Sequence, residues 1–238
     1  MFRIILAISL ACVCTTNAAV APFINKCAGE DSKCLKESTQ AAIKIFAAGI
    51  PSLGVETLDP LKIKSVDASS PNLKLLIKDI TGTGLKDCIA KKVQRNKAQS
   101  KLFVRLLCTV DFEGQYDMKG KLLVVPIEGM GKAHVVLRKI EITVEADLGE
   151  EVGADGVKHW TIKGWKHEYA LKDKTTIELE NLFGGNEELG RVARELLQSS
   201  SNEIVVEIGP PIVKHVASKI IDNVNKFFSF VPQSELEL

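Results

Sequence analysis

Six cysteines and four histidines are the residues in this chain best suited to redox, metal or nucleophilic chemistry, and their spacing points to disulfides. His134, His159, His167 and His215 are scattered, and after residue 19 there is no Cys-x-x-Cys or clustered His/Cys spacing of a metal site. No G-x-S-x-G elbow, H-E-x-x-H pair or phosphate loop is present. Gly129-Met130-Gly131 lacks the third glycine and the βα context of a dinucleotide site and reads as a turn. Glu150-Glu151 and Glu187-Glu188 are adjacent in sequence, as in a solvated surface or the first turn of a helix rather than an acid/base couple. The sequence therefore predicts no enzyme, no cofactor and no metal.

The cysteines divide by position. Met1 to Ala19 reads as an export signal: Arg3 is the charged start, Ile4 to Val13 the short apolar run, and Thr16-Asn17-Ala18-Ala19 the small-residue cleavage site. Cys12 and Cys14 leave with it, and four cysteines remain in an oxidising compartment. Cys27 and Cys34 make the economical local loop. Cys88 and Cys108 sit in strand-like runs on either side of Arg95 to Ser100, with Ala98 midway between them. A hairpin turning at that point sets the two opposite one another, at a separation suited to a cross-strand bridge. The alternative is two buried free thiols.

Composition bounds the partners. Basic and acidic residues number 31 and 30, so the chain has no charge footprint for nucleic acid or an anionic membrane. No later segment approaches the roughly 18 uninterrupted apolar residues of a membrane span, and no N-x-S/T sequon occurs. A secreted, soluble monomer with one domain over 20–238 is expected. Its hydrophobic content of 45% suffices for a sizeable core.

The elements follow from periodicity. Asn202 to Phe230 reads as a long amphipathic helix. Ile212, Val213, Val216, Ala217, Ile220, Ile221, Val224, Phe227 and Phe228 form its apolar stripe, and Lys214, His215 and Asp222 its wet side. Gly209-Pro210-Pro211 predicts a kink or restart. Leu35 to Gly49 reads as a second helix, stopped by Gly49-Ile50-Pro51. Between the two the period becomes two: Leu61/Ile63, Leu73/Leu75/Ile77, Leu102 to Phe112 and Ile140 to Ala146 alternate with polar neighbours. These are antiparallel strands with one dry face. Glycines 82, 84, 114, 120, 129, 131 and 164 mark turns, bulges or bends. A curved sheet whose dry face meets a long apolar helix gives an α+β roll.

The chain resembles the takeout/juvenile-hormone-binding family of secreted insect proteins. The likeness rests on Cys27/Cys34, Ile50-Pro51, Leu58-Asp59-Pro60-Leu61, Thr83-Gly84-Leu85, Gly114 to Leu122, Val125 to Gly131, Asn181 to Asn186 and Phe230-Val231-Pro232, in order along nearly the whole mature chain. It departs from the takeout branch at Ser199 to Ile204, and the Cys88/Cys108 pair differs from the second bridge of hormone-binding members. The resemblance implies a highly curved antiparallel sheet rolled around one long C-terminal helix, enclosing an apolar tunnel. It also implies carriage of a small hydrophobic ligand: a juvenile-hormone-like terpenoid, a fatty acid or another lipid.

Dry-face positions and the helix stripe nominate Phe46, Leu106, Val110, Val124, Val136, Ile142, Trp160, Val216, Ile220 and Phe227 as cavity lining, with plain core packing as the competing role. Tyr116 and Tyr169 are candidates to offer a hydroxyl to a ligand's polar end. The second functional class is a lipid-surface or protein-interaction module with a filled cavity. An enzyme would need a polar, pKa-perturbed cluster that the sequence does not display.

Overall fold

A computed structural model describes residues 21–238; the expected export signal over 1–19 lies outside them. Helix α1 (Ser32–Ala48) begins where Asp31 Oδ1 accepts from the backbone N–H groups of Lys33 and Cys34, both at 3.0 Å, which satisfies two of the free donors of the first turn. Seven strands follow: β1 (Leu61–Asp67), β2 (Leu73–Thr83), β3 (Ile89–Asn96), β4 (Lys101–Leu122), β5 (Val125–Val152), β6 (Lys158–Leu171) and β7 (Thr176–Leu179). They form one antiparallel sheet in the order β1-β2-β4-β5-β6, with β3 also paired to β4 and β7 to β5. The chain closes with α2 (Glu187–Ser199), α3 (Ser201–Ile208) and α4 (Pro210–Phe230).

The sheet curves because its central strands are too long to lie flat. β5 has 28 residues, which at about 3.3 Å per residue would reach ~90 Å if straight. Register shifts supply the bends: between Lys78 and Thr81, between Ala90 and Lys92, between Cys108 and Val110, and between Asp147 and Leu148. Each inserted residue also swaps the faces of everything beyond it. On β5 the insertion falls at Arg138-Lys139, with Lys139 at φ 52°. Inward positions are odd before it (Val135, Leu137) and even after it (Ile140, Ile142).

The cysteine pairs Cys27–Cys34 and Cys88–Cys108 are both bonded. The second closes the β3–β4 hairpin, with Cα atoms 4.4 Å apart and the turn at residues 97–100. The expected helix over Asn202 to Phe230 is divided. Gly209 keeps helical dihedrals, but Pro210 and Pro211 have no N–H for the carbonyls one turn back, so the rod restarts as α4. A Cβ at Gly209 would collide with the Val205 carbonyl oxygen and the Tyr169 hydroxyl. α4 has 21 residues, about 32 Å of helix.

One expected turn is strand. Gly129-Met130-Gly131 lies inside β5, as Gly114 and Gly120 lie inside β4. The first two glycines named serve close approach: a Cβ at Gly129 would stand 2.6 Å from the Tyr116 hydroxyl, and one at Gly131 would stand 2.8 Å from the Glu180 carbonyl oxygen. Bare backbone there lets residues 180–182 cross β5.

Candidate functional site: an apolar cavity

The larger core cluster gathers side chains from β1, β2, β4, β5, β7 and the three C-terminal helices, and it is hollow. A cavity of about 140 Å³ opens between the sheet's inner face and the helices. Leu75, Ile77 and Ile80 of β2 form one wall, Val110, Phe112, Tyr116 and Met118 of β4 the next. Val135, Leu137, Ile140 and Ile142 of β5 continue it, and Ile177 and Leu179 of β7 extend it. Leu197 of α2, Ile204, Val205 and Ile208 of α3, and Ile212, Val213 and Val216 of α4 cover it.

Polar groups are almost absent from this lining. Glu113 contributes to the margin, but its residue is exposed. Tyr116 is 4% exposed and its hydroxyl donates to the Glu180 carbonyl oxygen at 2.6 Å. Burial, with the Glu180 charge adding to it, pushes its pKa up to about 12. Tyr169, whose pKa is raised by burial, donates to the Val205 carbonyl oxygen at 3.0 Å. Both hydroxyls therefore give their proton to backbone, and of the two only Tyr116 lines the cavity. What remains is a hydrocarbon surface, from which water gains little and an apolar guest gains by leaving water.

The structure sorts the sequence-nominated residues. Val110, Ile142 and Val216 line the cavity. Leu106 and Ile220 pack against the same cluster without lining the opening. Val124 is 85% exposed in the two-residue turn between β4 and β5, so its nomination is corrected. Val136 is corrected too: it alternates to the opposite face from Val135 and Leu137, and the insertion at 138–139 parts it from the even-numbered Ile142, with which it would otherwise share a face.

Phe46, Trp160 and Phe227 belong to a second cluster. There Phe46 and Phe227 meet at 5.0 Å between ring centroids, Phe23 stands 5.9 Å from Phe227, and Trp160 meets Phe228 edge-on at 5.5 Å. These rings fill their end of the roll and do not line the opening. The sequence reading passed over Ile204, Val205 and Ile208, whose spacing continues the stripe of α4 back across the proline pair. It also passed over Leu75 and Ile77, which lay in an alternation already recognised.

Among the described residues no group of three or more His, Cys, Asp or Glu is placed to hold a metal ion, and no helix is long and apolar enough to cross a membrane.

The profile of the family described as haemolymph juvenile hormone binding protein (JHBP) matches residues 6–237. The chain is 23% identical to the circadian clock-controlled protein daywake of Drosophila melanogaster over 224 residues, covering 89% of this chain and 86% of that protein. It is 22% identical to daywake of Drosophila yakuba, over 79% and 77% of the two chains. The crystal structure of Epiphyas postvittana Takeout 1 superposes with a TM-score of 0.87 at 29% identity, covering 90% of this chain and 99% of that one. With the profile spanning nearly its full length, this chain belongs to the haemolymph juvenile hormone binding protein family.

Proposed function

We propose that the protein is a secreted carrier that holds a small hydrophobic ligand in the cavity between the sheet and α3–α4. The observation that carries this reading is the lining itself: almost wholly apolar walls from four strands and three helices, with the Tyr116 hydroxyl already donating to backbone. Such a wall selects for apolar surface and offers no anchor to a charged group. Family membership and the likeness to Takeout 1 support the same reading. The ligand class is a juvenile-hormone-like terpenoid, a fatty acid or a related lipid. Among these the apolar wall favours the ligand whose buried portion carries the fewest polar atoms. Two disulfides and an export signal over 1–19 suit an extracellular site of action.

The test is a fluorescence titration of the delipidated mature protein with N-phenyl-1-naphthylamine, followed by displacement with juvenile hormone or a long-chain fatty acid. Saturable uptake, displaced at about micromolar concentration or below, is the expected result. The better displacer assigns the ligand class. Absence of saturable uptake would overturn the carrier reading in favour of an interaction module.

A further inference from the structure

The charges of this chain balance in number, but the fold does not spread them evenly. Leu75, Ile77, Tyr116 and Met118 line the cavity, so the residues alternating with them form the outer face of the same sheet. One outer row, across β2, β4 and β5, is Lys74–Lys119–Glu128, and another is Lys78–Gln115–Lys132. Between them runs Leu76–Asp117–Met130, with Asp67 of β1 at its end, and Lys121 lies opposite Pro126 at the tip. Lys119 pairs with Glu128 at 3.3 Å, whereas Lys74, Lys78, Lys121 and Lys132 stand in no ion pair among the described residues. The carboxylates of this face are Asp67, Asp117 and Glu128, and Asp67 already accepts from the Ser69 N–H. Lys74 and Lys119 stand directly opposite one another, an arrangement that costs a sheet stability. The next row, with Glu113, His134 and Glu178, is acidic and ends the patch.

Apolar groups stand among these lysines. Met130 is 61% exposed in the middle row, and Val124 is 85% exposed at the tip. Leu123 and Val124 alone make the turn between β4 and β5. Leu123 has φ 55°, a conformation that strains a bulky side chain and that tight hairpins ordinarily give to Gly or Asn. Glu207 of α3 holds the turn by accepting from the Leu123 N–H at 3.1 Å. Leu122, just before it, lines the cavity. A strained turn that sets a valine in water beside the cavity wall gains nothing from packing there, and such outliers mark functional sites.

We propose that this end of the sheet docks reversibly on a bilayer containing anionic phospholipid. Val124 and Met130 enter the interface, and Lys74, Lys78, Lys119, Lys121 and Lys132 meet the headgroups. Lysine stems lie along apolar surface while their ammonium groups reach the phosphates, so the two kinds of side chain act together. The choice of a bilayer over another polyanion rests on the carrier reading: a guest with few polar atoms resides in lipid, and Met118 and Leu122 place the cavity directly behind the docking face. The even count of 31 basic and 30 acidic residues hides this segregation, which is why composition predicts no membrane footprint.

The test is flotation of the mature protein with vesicles of phosphatidylcholine, alone or with roughly 30% phosphatidylserine, in about 0.1 M salt. Binding to the phosphatidylserine vesicles should be at least about tenfold tighter and should vanish near 1 M salt, where charges are screened within ~3 Å. Lys74→Ser/Lys121→Ser should weaken it by at least about tenfold, and Val124→Ser by roughly threefold. Lys33→Ser/Lys36→Ser removes the same charge from exposed positions of α1 and should leave binding unchanged. None of these side chains lines the cavity, so every variant should take up N-phenyl-1-naphthylamine in solution as the wild type does, which also reports an intact fold. Docking without uptake in the wild type would sink the carrier reading alone; uptake without docking would sink the docking face alone. Equal binding to both vesicle types, or an equal loss in the α1 variant, would overturn the proposal. Capture by dextran sulfate as tight as by vesicles, and insensitive to Val124→Ser, would assign a soluble polyanion and overturn it too.

Discussion

Along α4, Val213 and Val216 face an opening, whereas three turns further on Phe227 and Phe228 face a stack of rings. Both stretches belong to one amphipathic stripe and both are buried. The difference lies in what the sheet and α1 bring to each end. At the hollow end the partners are mainly Leu, Ile and Val side chains, with Phe112, Tyr116 and Met118 beside them, on a sheet bent by bulges at 79–80 and 138–139. At the packed end Phe23, Phe46 and Trp160 enter the same gap. A mostly aliphatic wall on a wide curve leaves a void, and a cluster of rings packed on one another closes it. The packed end is the anchor, and the hollow end is the one that the proposed carrier function would use.

The contrast makes opposite forecasts for similar substitutions. Phe227→Ala at the packed end should cost about 3–5 kcal/mol in chemical denaturation and leave the affinity for N-phenyl-1-naphthylamine within about twofold, less than 0.5 kcal/mol. A tenfold loss of probe affinity in this variant would mean that the two ends are not separate.

Asn223 is 2% exposed. Its Oδ1 accepts from the Glu56 backbone N–H and its Nδ2 donates to the Glu56 carbonyl, each at 3.1 Å, pinning the segment before β1 to α4. Asn223→Ala leaves both backbone groups without that partner and should cost about 1–3 kcal/mol, again with little change in uptake.

The smallest effect sharpens the contrast by pH. His159 is 4% exposed. Its Nδ1 faces the carbonyl oxygens of Phe228 and Val231 at 2.9 and 3.1 Å, and its Nε2 faces Asp155 Oδ2 at 2.9 Å. Burial opposes the charged ring, but the Asp155 carboxylate and the two carbonyls outweigh it, so its pKa is raised above the ordinary 6.5. A raised pKa stabilises the fold fully below 6.5, and that contribution fades as pH climbs through the folded value. Asp155 runs the other way: the His159 hydrogen bond holds its pKa below 3.8, and its contribution is lost as acid titrates through that lowered value. The melting temperature of the wild type should therefore fall between pH 6 and pH 8.5 by more than that of His159→Gln, by a few degrees on the usual scale for a chain of this size. Equal slopes would show that His159 does not fasten the end of α4.

Much of the fold was legible because alternation and helical stripes are local. The disulfide hairpin could be read from the midpoint between Cys88 and Cys108, and the restart of the C-terminal helix from its two prolines. The inserted residues were not legible. Arg138 and Lys139 look like ordinary strand residues, yet they reverse the face of Val136 relative to Ile142. Filling was not legible either, since Phe46 and Leu75 are both apolar and only their neighbours in space decide which of them surrounds a void. The ion pair between Arg95 and Glu237 lay further out of reach: the two are 142 residues apart along the chain, and charged residues in isolation read as wet surface.

The central claim is that uptake belongs to the hollow end. The most direct measurement is the probe titration run side by side on the wild type, on Val110→Phe/Val216→Phe, and on Phe227→Leu. The double variant puts two rings into the cavity and should reduce probe affinity by at least about tenfold, 1.4 kcal/mol, with stability changed by less than about 1–3 kcal/mol because the rings enter space that is already open. Phe227→Leu should lose stability and keep its affinity. Undiminished uptake by the double variant, with loss in Phe227→Leu, would place the guest among the rings and contradict the account.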